Sequence, residues 1–217
     1  MTPIAAPDEG ASRRAIGDCL GLVVGSRRFD HAVILGLTGY LLTGPFQRHP
    51  PPGWVDPAMY LGYFLYLPDL IQRYGPTYHS NRWLFTLTGY AVYHLFSPPI
   101  ANLVLVTAFY LAILYAFRAL LLPFCTPGAT KLALVLMGSS PLVIATVTRT
   151  YVDGLTLALT LAGLAALLRA ILFAPPGKWL FVAGAAFTAA VLTQPGSAAP
   201  MLALPPAIQA SVRLMTL

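Results

Sequence analysis

Apolar segments long enough to cross a lipid bilayer make up most of this chain. Several run for 18 residues or more, close to the roughly 20 helical residues that cross a hydrocarbon core. Hydrophobic residues form 57% of the chain and charged residues only 9%, whereas an ordinary soluble domain is about a quarter charged. The sequence therefore predicts an all-α, polytopic integral membrane protein. The predicted spans are Phe29–Phe46, Ile100–Leu122, Thr130–Val147, Asp153–Phe173 and Lys178–Thr193, with the apolar tail 198–217 as a sixth.

The region before the first span is polar and of mixed charge, and it contains no clear small-residue cleavage site. We therefore expect residues 1–28 to form a cytoplasmic tail and residues 29–217 to form the membrane domain. The net charge of +6 comes from basic residues at the segment ends, which is typical of positive-inside topology. No basic cluster is interleaved with exposed aromatics, so nucleic acid is not an expected partner.

The first large loop, residues 47–98, has the composition of a membrane–water interface. Its part from Trp54 to Pro98 contains 12 of the 25 aromatic residues, and aromatic enrichment marks the headgroup level. The Asp56-Pro57 pair predicts a helix start, with Pro68 interrupting that helix near Leu67. The loop is therefore predicted to form juxtamembrane helices.

The segment 82–96 is predicted to lie flat on the membrane surface. It has only 15 residues, which is short for a span, and it is amphipathic. If it lies flat, eight basic residues fall on the cytoplasmic face and four outside; if it spans, five fall inside and seven outside. The positive-inside rule favours the flat arrangement. One helical line of the segment is polar (Arg82, Thr86, Tyr90, His94) and the other apolar (Leu84, Leu87, Ala91, Leu95).

Carboxylates are rare after residue 31, where the only three are Asp56, Asp69 and Asp153. In the flat topology, Asp56 and Asp153 share the outer face. A charge beside a bilayer is costly and therefore indicates function. Each residue also has a structural interpretation, since Asp56 would cap a helix and Asp153 would favour the positive end of the helix that follows it.

Two stretches, WVDPAMYLGYFLYLPDL…RYGPTYHSNRW and SPLVIATVTRTYVDGLTLALTLAGLAALL, together resemble the GT-C superfamily of polytopic glycosyltransferases. That superfamily includes protein mannosyltransferases and the bacterial enzymes that add aminoarabinose or galacturonic acid to lipid A. Its members carry an acid early in the first outer loop, a basic residue before the second juxtamembrane helix and an acid at the outer end of the third span. The resemblance implies the N-terminal half of such a module, in the bacterial inner membrane.

The resemblance also implies a reaction. A sugar would move, with inversion, from a polyprenyl-phosphate donor to a lipid, glycan or protein acceptor on the non-cytoplasmic face. Asp56 would act as the base and Asp153 would position a divalent cation (Mg²⁺ or Mn²⁺) or a basic partner. Phosphate would be bound by Arg82 and Arg149, and the sugar or lipid by the tyrosines Tyr60, Tyr78 and Tyr151.

Two other functions stay open at the level of the sequence. A transporter of a small or lipidic solute would fit the number of spans, although its ionisable groups are expected at mid-membrane depth and here they lie at segment ends. A non-catalytic or truncated membrane subunit would fit the short chain. His79 and His94 are predicted to be polar interface residues and not metal ligands.

Overall fold

A computed structural model of the protein describes residues 28–44, 55–149, 152–172 and 176–195. Within these residues all regular secondary structure is helical, as the sequence predicts. Residues 1–27 of the predicted cytoplasmic tail, the proline-rich stretch 47–53, Tyr151 and the apolar tail 198–217 lie outside the described residues. The helices are α1 (Arg28–Thr43), α2 (Val55–Tyr74), α3 (Trp83–Leu95), α4 (Pro98–Leu121), α5 (Pro127–Ser139), α6 (Pro141–Thr148), α7 (Val152–Leu172) and α8 (Gly177–Thr193).

Three of the helices begin with proline directly after a serine or threonine. Proline fits the first helical position because its missing N–H would have no intrahelical partner there. Thr126, before α5, is a true cap, since its Oγ1 accepts a hydrogen bond from the backbone N–H of Ala129 at 3.3 Å. These local signals explain why the predicted starts of spans two and three agree with the structure within a few residues.

Two helices, α4 and α7, are each long and apolar enough to cross a membrane. The helices α5 and α6 pass the same test together, but the chain bends by 54° at their junction beside Pro141. Helices α1 and α8 are apolar but shorter. The described residues therefore contain two candidate spans, or three if the bent pair counts as one.

Helix α2 is kinked where the sequence predicts an interruption. Tyr66 has non-helical backbone angles (φ −135°, ψ 35°), and Pro68 lies inside the helix. Proline has no N–H to donate and its ring crowds the preceding turn, which bends the helix. Gly75 ends α2 with a φ of 69°, in the left-handed region that glycine adopts without strain.

Helix α4 is the centre of the bundle and contacts α1, α3, α5, α6 and α7. Helix α8 packs mainly on α7, where Gly163 leaves room for the ring of Phe187. A Cβ at position 163 would lie 2.6 Å from that ring. Small residues at such a crossing let two apolar helices approach closely.

A cluster of ion pairs lies at one end of the bundle. Asp30, in the first turn of α1, is 1% exposed and lies 2.9 Å from Nε of Arg118 and 3.3 Å from Nζ of Lys131. The start of α1, the end of α4 and the start of α5 therefore lie together. No role for Asp30 was predicted from the sequence.

The opposite end brings together the start of α3, the start of α4 and the end of α6. Phe85, Asn102 and Val147, one from each helix, line one small internal cavity. Asn102 lies sixteen residues from Arg118 along α4, or about 24 Å at the helical rise. The segments that carry Arg82 and Asp153 therefore share one end of the bundle, far from the Asp30 cluster.

Candidate functional site

Arg82 is buried at the start of α3, with only 7% of its surface exposed. Its guanidinium donates hydrogen bonds to the hydroxyls of Tyr60, on α2, and Tyr78, in the turn before α3. It also lies over both rings, with Cζ 4.3 Å from the centroid of Tyr78 and 5.7 Å from that of Tyr60. The predicted phosphate-binding arginine and two of the three predicted ligand tyrosines therefore form one cluster.

Arg82 has no carboxylate in direct contact, although Asp56 is near enough to act on the same tyrosine, Tyr60. Among the described residues no carboxylate forms an ion pair with it, and its buried Nε has no hydrogen-bond partner. Burial raises the pKa of the Tyr60 phenol well above its ordinary value, so this hydroxyl stays neutral. A buried guanidinium without an anion is costly, because the charge has lost its water. Such a group can bind an added anion with two oxygens at once.

Asp56 lies beside this cluster, paired with His79. The distance from Asp56 Oδ1 to His79 Nε2 is 3.3 Å, and the side chain of Asp56 is 46% exposed while that of His79 is 14% exposed. Asp56 is in the first turn of α2, where the positive end of the helix favours a carboxylate. The carboxylate is thus held by a partner on one side and open to a ligand on the other.

The turn between α2 and α3 fixes the position of His79. The hydroxyls of Tyr63 and Thr77 are 2.6 Å apart, and the backbone N–H of Thr77 donates to the buried Oγ of Ser80 at 2.6 Å. The imidazole packs edge-on against Tyr60 and Tyr78, at 5.0 and 5.3 Å between ring centroids. The sequence predicts only a polar interface residue at His79, and the structure adds its pairing with Asp56.

The predicted polar line of α3 is only partly at the surface. Thr86 is fully buried and Arg82 nearly so, while Leu87 and Leu95 on the predicted apolar line are 49% and 75% exposed. The first half of the polar line therefore faces the protein interior. This side of α3 packs on α2, where the ring of Phe64 fills the space beside Gly89, and the leucines are left outside.

Asp153 lies in a different depression at the same end of the bundle. A groove of about 480 Å³ is formed by α5, α6, α7 and Gln194, the residue after α8. No member of the Arg82 cluster lines it. Among the described residues, Asp153 has no ion-pair or hydrogen-bond partner in the structure. The polar residues that line this groove are Ser140, Thr146, Asp153, Thr156, Thr160 and Gln194.

The predicted site residues therefore divide into two groups. The structure brings together Asp56, Tyr60, Tyr78 and Arg82, and it adds His79. It places Asp153 in the neighbouring groove, and it places Arg149 half-buried just after α6, four residues before Asp153. Tyr151 lies outside the described residues. The only sequence signal for His79 as a site residue is its position in the same loop, between Asp56-Pro57 and Arg82.

Within the described ranges, no group of three or more His, Cys, Asp and Glu residues could hold a metal ion.

Comparison of the chain with protein-family models, with curated proteins and with solved structures gives no match. The resemblance to GT-C glycosyltransferases therefore stays a prediction.

Proposed function

We propose that the protein is a multi-pass membrane glycosyltransferase that moves a sugar from a polyprenyl-phosphate donor to an acceptor hydroxyl on the non-cytoplasmic face. The observation that carries this proposal is the buried guanidinium of Arg82, which forms no direct ion pair, close to the half-exposed carboxylate of Asp56. An anion site and a base at one helix junction are what transfer from a phosphate-linked donor requires.

The chemistry follows from the two groups. The acceptor oxygen attacks the anomeric carbon, a new glycosidic C–O bond forms, and the bond from that carbon to the phosphate oxygen breaks. The polyprenyl phosphate leaves with the electron pair, and the planar guanidinium of Arg82 stabilises its growing negative charge. Asp56 accepts the proton of the acceptor hydroxyl. His79 holds Asp56 in place through their 3.3 Å contact.

Asp153 has a supporting place in this proposal. Its groove offers one carboxylate among hydroxyl and amide oxygens, a donor set that suits Mg²⁺ or Mn²⁺ when phosphate oxygens or waters complete the shell. A divalent cation bound there would lie at the same end of the bundle as the Arg82 cluster, in a separate groove. Arg149, four residues before Asp153, would face the same aqueous side.

The proposed topology has α1, α4, the bent pair α5–α6, α7 and α8 as spans, with α2 and α3 at the outer surface. The ion pair of Asp30 with Arg118 supports it, because a single crossing by α3 would send these two residues to opposite faces. Five spans then place the loop with Asp56 and the start of α7 on the outer side. The location would be the inner membrane of a bacterium.

The proposal is tested by a transfer assay on the full chain in lipid nanodiscs. The donors are polyprenyl phosphates that carry different radiolabelled sugars, supplied with and without Mg²⁺ and Mn²⁺, and the acceptors are membrane lipid extracts. Asp56→Asn is compared with Asp69→Asn, because Asp69 is an exposed aspartate on the same helix. We expect transfer by the wild type and by Asp69→Asn, and a loss of about 10²–10⁴-fold in Asp56→Asn, the range for removal of a general base.

Binding gives a second measurement that does not need the acceptor. Arg82→Met should lose affinity for a radiolabelled polyprenyl phosphate, and Arg82→Lys should recover part of it, because an ammonium is a point charge without the planar fork. Full transfer by Asp56→Asn, or unchanged binding by Arg82→Met, contradicts the proposal.

A transporter is the second candidate, favoured by one observation. The 54° bend between α5 and α6 is the kind of break that forms binding sites at mid-membrane depth in transporters. Uptake of a labelled solute into sealed vesicles, without chemical change and without dependence on Asp56, would support that function instead.

A further inference from the structure

Two basic side chains lie against one tryptophan where α7 ends and α8 begins. Cζ of Arg169 is 4.8 Å from the ring centroid of Trp179, and Nζ of Lys178 is 5.4 Å from the same centroid. Because both distances end at one ring, the two charges are at most about 10 Å apart, which is roughly one screening length at moderate ionic strength. These three residues, which we call the α7–α8 cluster, therefore hold two like charges that repel each other.

The α7–α8 cluster has hydrogen-bond donors that the rest of the described chain does not use. Among the described residues, neither Arg169 nor Lys178 forms an ion pair or a side-chain hydrogen bond. The indole N–H of Trp179 has no hydrogen-bond partner there either. A guanidinium binds two oxygens of a phosphate at once, and an ammonium binds a phosphate as a point charge. The cluster is therefore complementary to an anion with several oxygens.

The position of the cluster along the bundle corresponds to the lipid headgroups. Arg169 is in the last turn of α7, a helix that is long and apolar enough to cross a membrane. Asp153, in the first turn of α7, is sixteen residues away, or about 24 Å at the helical rise. The cluster therefore lies at the end of the bundle away from Asp56 and Arg82. Tryptophan and basic residues at the end of a span are typical of the membrane–water interface.

Apolar side chains exposed beside the cluster indicate that the anion is part of a lipid. They belong to the last turn of α7 and the first turns of α8, and they are Ile171, Leu172, Leu180 and Phe181. A soluble phosphate would make no use of these surfaces. The acyl chains of a lipid would cover them while its headgroup lies at the cluster.

We propose that the α7–α8 cluster binds one phospholipid whose headgroup has a net negative charge, with phosphatidylglycerol as the simplest example. The phosphodiester oxygens accept hydrogen bonds from Arg169, Lys178 and the indole N–H of Trp179. Phosphatidylcholine is a poorer ligand, because its trimethylammonium group would lie beside two cations. This inference goes beyond the proposed function, since no residue of the cluster belongs to the Asp56–Arg82 site, and in the proposed topology the lipid is in the inner leaflet.

Trp179 reports directly on the lipids beside it. The chain has three tryptophans, and a Trp54→Phe, Trp83→Phe background leaves Trp179 as the only one. The full chain is placed in phosphatidylcholine nanodiscs in which a small, equal fraction of lipid is brominated, either as phosphatidylglycerol or as phosphatidylcholine. Bromine quenches the fluorescence of a tryptophan that it approaches. We expect brominated phosphatidylglycerol to be preferred at Trp179 by about tenfold or more, because each basic residue at a membrane surface contributes about fivefold.

The variants remove one charge at a time. Arg169→Gln and Lys178→Gln should each lower the preference by about fivefold, and Arg169→Lys should retain most of it. Lys178 is exposed, so its substitution tests the site even if Arg169→Gln does not fold. The control is Arg73→Gln, because Arg73 lies 5.6 Å from the centroid of the exposed ring of Tyr74, which contacts no second cation. Arg73→Gln should leave the preference at Trp179 unchanged.

Three results overturn the proposal, and none of them depends on sugar transfer. Equal quenching by the two brominated lipids shows that the cluster does not select an anionic headgroup. Equal losses of preference in Arg73→Gln and Lys178→Gln show a general effect of surface charge without a site. Loss of the preference when glycerol phosphate is added to the solution shows that the ligand is a soluble phosphate and not a lipid.

Discussion

Nε of Arg118 lies 2.9 Å from Oδ2 of Asp30, so the last turn of α4 is tied to the first turn of α1. The carboxylate is 1% exposed, and Lys131 lies 3.3 Å from its other oxygen. Two buried cations therefore depend on one anion. This cluster holds together the ends of α1, α4 and α5 that lie at one side of the bundle, and it constrains the path of the chain between them.

Removal of the Asp30 charge should destabilise the fold strongly. In Asp30→Asn, Arg118 and Lys131 would remain buried without their anion, and breaking a buried pair in this way costs about 3–5 kcal/mol. Thermal unfolding in a mild detergent should show a clearly lower midpoint. Asp69→Asn, at an exposed aspartate, should leave the midpoint unchanged, and equal midpoints for all three proteins would show that the cluster is not stabilising.

The ion pair also predicts which loops share a side of the membrane. In a Cys19→Ser background, the native Cys125 just after α4 reports the inner side, while Pro76→Cys and Asp153→Cys report the α2–α3 turn and the start of α7. A membrane-impermeant maleimide added to intact cells should label positions 76 and 153. Cys125 should react only after permeabilisation. Labelling of positions 76 and 125 from the same side would exclude the topology.

Gly89 should not tolerate a side chain. A Cβ there would overlap the ring of Phe64, which is fully buried and cannot turn aside into open space. Gly89→Ala should therefore destabilise the contact of α2 with α3 by about 1–3 kcal/mol, the usual cost of overpacking. Gly39→Ala has nothing within 4 Å of its new Cβ, and its helix propensity should make it neutral or slightly stabilising. The comparison is made by thermal unfolding of both variants.

His79 is expected to act by positioning Asp56. In the transfer assay, His79→Gln should lower kcat by about 10–100-fold, because a misplacement of 1 Å costs roughly 100-fold, while KM for the donor stays near the wild-type value. His94→Gln is the control, since His94 lies exposed at the far end of α3. A rise in KM without a fall in kcat would assign His79 to donor binding instead.

The sequence was sufficient to predict the helical segments and several of their ends. Long apolar runs can satisfy their backbone groups in a membrane only as helices or closed barrels, and proline after serine or threonine marks a helix start without reference to the rest of the chain. The kink near Pro68 and the stop at Gly75 are local in the same sense. The grouping of Asp56 with Arg82 came from the resemblance, and the structure brings both to one junction through His79.

Only the tertiary structure decided which polar groups meet. Asp56 and His79 are 23 residues apart, and Asp30 and Arg118 are 88 apart. No local signal specifies such contacts, because they depend on how the helices pack. The same packing buries Arg82 and Thr86, which belong to the polar line of α3. Periodicity shows that a helix has two different faces, but the neighbouring helices determine which of the two faces is buried.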